Sequence, residues 1–246
     1  MSAPLSVQLY SVRAALAEDR PATLARLREI GFTQVEPFGF ANDPAGLAAD
    51  LRNAGLGVSS GHTSLVDADG AAALDAAVEI GIPVAIEPAV RDVWTDADAI
   101  KRVAARLNEL SAEAATRGVK VGYHNHWWEF EPLGDGTAYD LFVSELDPAV
   151  VLELDTYWAT VGKQDAAELL RRLGDRVGFL HVKDGSLSEN PHEQVPVGSG
   201  KVPVAGILAA APNAVRVLEF DEYDGDLFEG LTEGIAFLQK TEGDRA

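Results

Sequence analysis

Short apolar runs alternate with longer amphipathic stretches along the whole chain, and the alternation repeats eight times. The apolar runs are Leu5–Ser11, Gln34–Gly39, Gly57–His62, Val84–Pro88, Lys120–His126, Val150–Tyr157, Val177–Asp184 and Val215–Asp221. They have strand lengths and are bounded by turn residues. The stretches between them carry helix signals. Asp19 stands as an N-cap before Pro21, Leu24, Leu27 and Ile30 form an apolar stripe, and Gly31 closes the segment. Further helices are expected over Pro44–Asn53, Gly70–Ile80, Asp96–Arg117, Tyr139–Leu146, Asp165–Leu173 and Leu227–Lys240, with a shorter pattern over Val202–Ala211. Helical crossovers dictate parallel strands. Eight strand–helix units in a chain of about 250 residues fit a closed α/β barrel of the (β/α)8 type. The other arrangement, an open doubly wound sheet, would carry a Gly-rich phosphate fingerprint after the first strand, and none is present. No linker interrupts the pattern, so residues 1–246 read as one barrel domain.

Composition narrows the function. The absence of cysteine excludes disulfides, thiolate metal sites and a cysteine nucleophile. Asp and Glu outnumber Lys and Arg by 39 to 20, a formal charge of −19. Such a surface repels phosphate backbones and anionic lipid, so neither nucleic acid nor membrane is an expected partner. Met1-Ser2-Ala3-Pro4-Leu5 lacks a basic region followed by an apolar run. The expectation is therefore a cytoplasmic protein with a small-molecule substrate, for which a homo-oligomer is a compatible state.

Active sites of barrels lie at the C-terminal ends of the strands. Those ends carry Gln8, Glu36, His62, Glu87, His124-Asn125-His126, Glu153-Leu154-Asp155, His181-Val182-Lys183-Asp184 and Glu219-Phe220-Asp221. Four of the five histidines fall in this set, too many to read as unrelated structural residues. Strand periodicity puts Glu153 and Asp155 on one face and Leu152 and Leu154 on the other. With the leucines packed against helices, the acids point into the barrel. By the same count His181 and Lys183 share a face, as do Val217, Glu219 and Asp221. Carboxylates and imidazoles without sulfur suit Mn²⁺, Mg²⁺, Co²⁺ or Zn²⁺, and the oxygen majority favours Mn²⁺ or Mg²⁺. The alternative is a salt-bridged network of acids, Lys183 and histidines with no metal.

These strand ends resemble those of the sugar phosphate isomerase/epimerase family, part of the xylose isomerase-like TIM barrel superfamily that also includes endonuclease IV. The resemblance rests on Gln8-Leu9-Tyr10-Ser11-Val12-Arg13, Tyr123-His124-Asn125-His126 with Glu129-Phe130, Leu154-Asp155-Thr156-Tyr157-Trp158, His181-Val182-Lys183-Asp184 and Leu218-Glu219-Phe220-Asp221. It implies one divalent metal held by a Glu, an Asp, a His and a second Glu. Asp155, His181 and Glu219 match the last three. Glu129 is taken as the first, with His124 as the alternative.

The resemblance further implies isomerisation or epimerisation of a sugar or sugar phosphate through a metal-stabilised enediolate, with Glu129 and Glu219 as the acid/base pair. Lys183 would steady the oxyanion, or form a salt bridge to Asp184, Asp155 or Glu153. His124 would line the pocket beside them. Gln8, His62 and His126 would bind substrate hydroxyls, and Trp158, with Trp127 and Trp128, would wall the sugar. The same site suits a dehydratase or lyase acting on keto-inositols or 3-keto-glycosides. The net charge opposes the abasic-DNA endonuclease chemistry of the same superfamily, and a non-catalytic sugar-binding barrel is the remaining reading. Gly198-Ser199-Gly200-Lys201 could offer backbone N–H groups to an anion, although a plain turn is the better account of it.

Overall fold

The computed structural model describes residues 5–66 and 69–243. The N-terminal tetrapeptide read for a targeting signal lies outside them. In chain order the strands are β1 Leu5–Gln8, β2 Gln34–Glu36, β3 Gly57–Val58, β4 Gly61–His62, β5 Val84–Glu87, β6 Lys120–His124, β7 Pro132–Leu133, β8 Gly136–Thr137, β9 Val151–Asp155, β10 Val177–Val182, β11 Asp184–Gly185, β12 Gln194–Val195 and β13 Val215–Leu218. The helices are α1 Arg13–Glu18, α2 Arg20–Ile30, α3 Pro44–Ala54, α4 Gly70–Ile80, α5 Ala97–Ala115, α6 Ala138–Glu145, α7 Thr156–Val161, α8 Ala166–Leu173, α9 Val204–Ala210 and α10 Leu227–Gly243.

Nine of the strands form one parallel sheet in the order β3-β2-β1-β13-β10-β9-β6-β5-β4. Its two ends are consecutive in sequence. The third apolar run is one barrel strand broken at Ser59-Ser60, so that β3 pairs with β2 and β4 pairs with β5. A parallel bridge between Phe38 and His62 brings the two edges together, with Gly39 N donating to His62 O (2.8 Å) and His62 N donating to Pro37 O (2.7 Å). Helices surround the sheet, and the two small hairpins, β7–β8 and β11–β12, lie outside it.

The barrel interior follows strand parity. Val84, Ile86, Phe179 and Val217 form a separate apolar plug, with Val151 and Val215 packed against it. One step further along the same faces stand Glu153, His181 and Glu219, all buried. Gly122, on the inward face of β6, leaves room for this plug: a Cβ there would lie 3.0 Å from Ile86 Cγ1 and 3.1 Å from Val151 O. Parity also removes Glu87 from the interior. It lies on the face opposite Val84 and Ile86 and accepts the backbone N–H groups of Leu65 (2.7 Å) and Val66 (2.8 Å).

The helices start where the sequence marks them. Asp19, Asp43, Asp69, Asp96 and Asp165 each accept a backbone N–H from the first turn of α2, α3, α4, α5 and α8. Part of the acid excess therefore stabilises helix N-termini, by about 1 kcal/mol per cap. Two helices are additions to the sequence reading, α1 and α7. The run Val150–Tyr157 ends as a strand at Asp155 because the Asp155 carboxylate accepts the Trp158 N–H (2.8 Å) and caps α7. The first run likewise stops at Gln8, whose side chain accepts the Tyr10 N–H (3.1 Å) and starts a 3-10 turn. Among the described residues no helix is long and apolar enough to cross a membrane.

Candidate active site

A cavity of about 530 Å³ opens at the C-terminal ends of the barrel strands, and His62, His124, His126, Trp158 and Glu219 reach its wall. The polar network lies beneath. His181 Nδ1 lies 2.6 Å from Glu219 Oε2, and its Nε2 lies 2.7 Å from Glu36 Oε1 and 3.1 Å from Glu153 Oε2. His62 Nε2 lies 2.6 Å from the same Glu153 oxygen, and His124 Nδ1 lies 3.1 Å from it. Lys183 Nζ stands between three carboxylates: Asp155 at 2.9 Å, Glu219 at 2.7 Å and Asp221 at 2.7 Å. Outer contacts hold these groups in place. Gln8 and Ser60 donate to Glu36, Gln194 donates to Asp221 (2.6 Å), and the Asn125 amide oxygen accepts the Asp155 N–H (3.0 Å).

The electrostatics of the cluster are polarised. Burial opposes ionisation of Glu153, but His181 and His62 hold it well below the usual carboxylate range. Burial is likewise outweighed at Glu219, which Lys183 and His181 hold well below that range. Burial raises Asp155, and burial together with Glu153 raises Glu36. The carboxylates around His181 overcome its burial and push it well above the ordinary imidazole value, and His62 moves the same way. Burial and His181 push His124 well below it. Lys183 is raised well above its ordinary value, its carboxylate partners outweighing burial.

Such a set fits a cation. The donor atoms of Asp155, His181 and Glu219 lie within 4.8 Å of one another, as do those of His62, His124, Glu153 and His181. Among the described residues, two fully buried carboxylate oxygens lack an aligned hydrogen bond, Glu153 Oε1 and Asp155 Oδ2, although the latter is near Lys183. Buried carboxylate oxygens without donors are costly unless a cation meets them. Either donor group could therefore hold a divalent ion.

Three site expectations are changed by the geometry. Glu129 does not join either donor group. It lies on a 3-10 turn after β6, with the Tyr123 hydroxyl donating to one oxygen (2.9 Å) and the His126 N–H to the other (2.9 Å). His124, the alternative, lies with its Nε2 3.8 Å from Asp155 Oδ2. Gln8 is fully buried and committed to Glu36 and Tyr10, so it positions Glu36 instead of presenting itself to substrate. Lys183 pairs with Asp155, as one of its expected partners, but otherwise with Glu219 and Asp221. His126 stacks on Trp128 at 4.1 Å, and its buried Nδ1 has no hydrogen-bond partner. Trp127 and Trp128 join Trp158 on the cavity wall. From the sequence, Glu36 stands at a strand end with no role, and Glu153 is only an inward acid and one of the alternative partners of Lys183. Their parity with Asp155 and their position on the rim were the available signals. Ser60 and Gln194 carried none.

The family model for the xylose isomerase-like TIM barrel matches residues 24–241. The chain belongs to the xylose isomerase-like TIM barrel family. Among solved structures, a sugar phosphate isomerase/epimerase from Parabacteroides distasonis is 27% identical, with a TM-score of 0.81 over 97% of this chain and 94% of that one. An L-ribulose 3-epimerase shares the fold at 16% identity and a TM-score of 0.70, covering 99% of this chain and 95% of its own. The IOLI protein, described with a bound zinc atom, shares it at 15% identity and a TM-score of 0.72, covering 98% of each chain. No protein of curated function matches the chain in sequence. Members of this xylose isomerase-like family differ in chemistry on one scaffold, so the activity has to be argued from the site.

Proposed function

We propose that this barrel is a divalent-metal-dependent sugar isomerase or epimerase that moves a proton at a carbon beside a carbonyl. The observation that carries the reading is the convergence of buried Asp155, His181 and Glu219 beneath an open cavity, with their donor atoms within 4.8 Å of one another. His124 is the fourth donor in this reading, since Glu129 is held by Tyr123 and His126. Oxygen donors favour Mn²⁺, and the two imidazoles also suit Co²⁺ and Zn²⁺. When bound, the ion would polarise adjacent substrate oxygens and acidify the neighbouring C–H bond.

The protein groups supply the remaining chemistry. Glu219 reaches the cavity and is ionised beside Lys183, so it takes the proton. His62, on the third barrel strand, also reaches the cavity and is kept charged by Glu36 and Glu153, so it returns a proton. Lys183 fixes the carboxylates and puts positive charge close to the developing oxyanion. Trp158 walls the site against water. A second reading, elimination by a lyase or dehydratase, is favoured by His126, whose imidazole lines the cavity wall as a further group suited to protonating a leaving oxygen.

The test is C–H exchange in heavy water across a panel of sugars and keto-sugars, followed by NMR alongside metal content. Chelation abolishes exchange and readdition of Mn²⁺ restores it. Exchange that persists in protein verified as metal-free overturns the reading, and a dehydrated or cleaved product selects the lyase. The ligand assignment has its own test. His124→Ala lowers metal content, whereas Glu129→Gln retains metal and costs about 1–3 kcal/mol of stability through its buried hydrogen bonds. Metal analysis and thermal melts of the two variants check this, and the opposite pattern returns Glu129 to the ligand set.

A further inference from the structure

The glycine loop that the sequence offers to an anion is already filled. Backbone N–H groups of Gly198 and Gly200 both donate to Asp184 Oδ2 at 3.0 Å, and those of Val202 (3.0 Å) and Gly185 (2.8 Å) donate to Oδ1. Asp184 is buried, and a Cβ at Gly200 would lie 2.2 Å from its Oδ1, so the glycine exists to let the chain close on this carboxylate. An internal anion thus occupies the amide cradle that barrels of this kind offer to phosphate. The cavity wall repeats the message. Glu189, Glu219, Asp221 and Glu222 line it, while the Arg91 guanidinium sits over the Trp128 ring at 4.1 Å and Lys183 is enclosed by three carboxylates. A phosphate at the outer part of this wall meets the carboxylates of Glu189, Asp221 and Glu222.

The mouth of the cavity is apolar in a specific way. Among the described residues three large hydrophobic side chains stand exposed, and two of them, Tyr10 and Phe38, line this cavity. Their rings meet edge to face at 5.3 Å, and the Arg13 guanidinium backs Tyr10 at 4.2 Å. Exposed aromatic rings held in fixed orientation beside a polar site are suited to packing on another ring. The cavity volume of about 530 Å³ lies in the range of about 300–1,000 Å³ that holds drug-sized ligands, more than one pyranose ring fills.

We propose that the substrate is a neutral, unphosphorylated sugar carrying a second ring, with the reacting sugar over the polar cluster and the second ring against Tyr10 and Phe38. This rests on the sugar proton-transfer reading and adds the substrate class. The experiment titrates Mn²⁺-loaded protein by tryptophan fluorescence with matched sets: glucose, glucose 6-phosphate, cellobiose and phenyl β-glucoside, then the corresponding galactose and xylose compounds where they exist. The ring-bearing members bind about tenfold tighter than the bare sugar, and the phosphate binds more weakly than either. In a Tyr10→Ala/Phe38→Ala variant, checked for folding by circular dichroism, the ratio of ring-bearing to bare affinity falls to near one. Cellobiose or the phenyl glycoside as the tighter ligand identifies the second ring as sugar or aryl. A phosphate that binds tighter than its parent sugar, or a ring preference that is absent or survives the double variant, overturns the proposal and leaves the proton-transfer reading intact. No binding by any sugar to protein shown to hold metal overturns both.

Discussion

Lys183→Met lowers the melting temperature of the metal-free protein by about 6–20 °C. The lysine is 1% exposed and lies within 2.9 Å of three carboxylates, Asp155, Glu219 and Asp221. Removing one partner from a buried charge network costs about 3–5 kcal/mol, because the opposing charges are left unpaired. In a chain of this size each kcal/mol moves the midpoint by about 2–4 °C. Methionine keeps the stem volume, so packing contributes little to the loss. With the proposed ligand set, divalent metal is expected to recover part of the stability, since it would neutralise Asp155 and Glu219 directly. Thermal melts with and without Mn²⁺ check both statements. A melting temperature within about 2 °C of the parent protein would show that protons neutralise the carboxylates at little cost and that the lysine is dispensable for the fold.

Asp155→Asn has the largest expected effect on activity. Metal content falls to background, and kcat/KM drops by on the order of 10²-fold or more, since even substitutions of residues that only hydrogen-bond to a metal's ligands cost about 10–100-fold. Asparagine is chosen because Asp155 also caps α7. An amide oxygen still accepts the Trp158 N–H, so the helix start survives where alanine would remove it. The substitution does turn an amide toward Lys183, and the folded protein loses about 1–3 kcal/mol. Circular dichroism separates this from unfolding, and elemental analysis with kinetics reads the site. A variant that keeps full metal occupancy and turnover removes Asp155 from the ligand set.

Much of the fold was legible because it is written in short-range patterns. The eight apolar runs became the barrel strands, and the inward parity of Glu153 with Asp155, and of His181 with Lys183, held in three dimensions. Asp19 and Gly31 located α2, and the expected spans Pro44–Asn53 and Gly70–Ile80 match α3 and α4 within a residue. The strand ends were less accurate for a physical reason. Gln8 and Asp155 sit in runs that continue as apolar sequence, yet each uses its side chain to start a helical turn. Periodicity does not reveal which of two local hydrogen bonds a side chain will make.

The candidate site was legible in kind, and less so in its pairings. Asp155, His181, Glu219 and Lys183 could be singled out because each stands on an inward face at a strand end. The sequence reading makes Glu129 a ligand, but it lies on a turn beyond β6 where strand parity no longer applies, and there the Tyr123 hydroxyl donates to it. The glycine loop at 198–200 has the composition of an anion cradle, but only the structure identifies Asp184 as the anion.

The sequence by itself therefore determined the units: strands with one apolar and one polar-tipped face, capped helices, and a rim rich in carboxylates and imidazoles. These follow from forces acting within a few residues of each other. Only the tertiary structure decided the partners. Glu36 and His181 are 145 positions apart and meet at 2.7 Å because β2 and β10 face each other across the barrel. Closure of the sheet through the split third strand fixes those distances, and with them which carboxylates share His181, which share Lys183 and which keep a buried oxygen without a hydrogen bond.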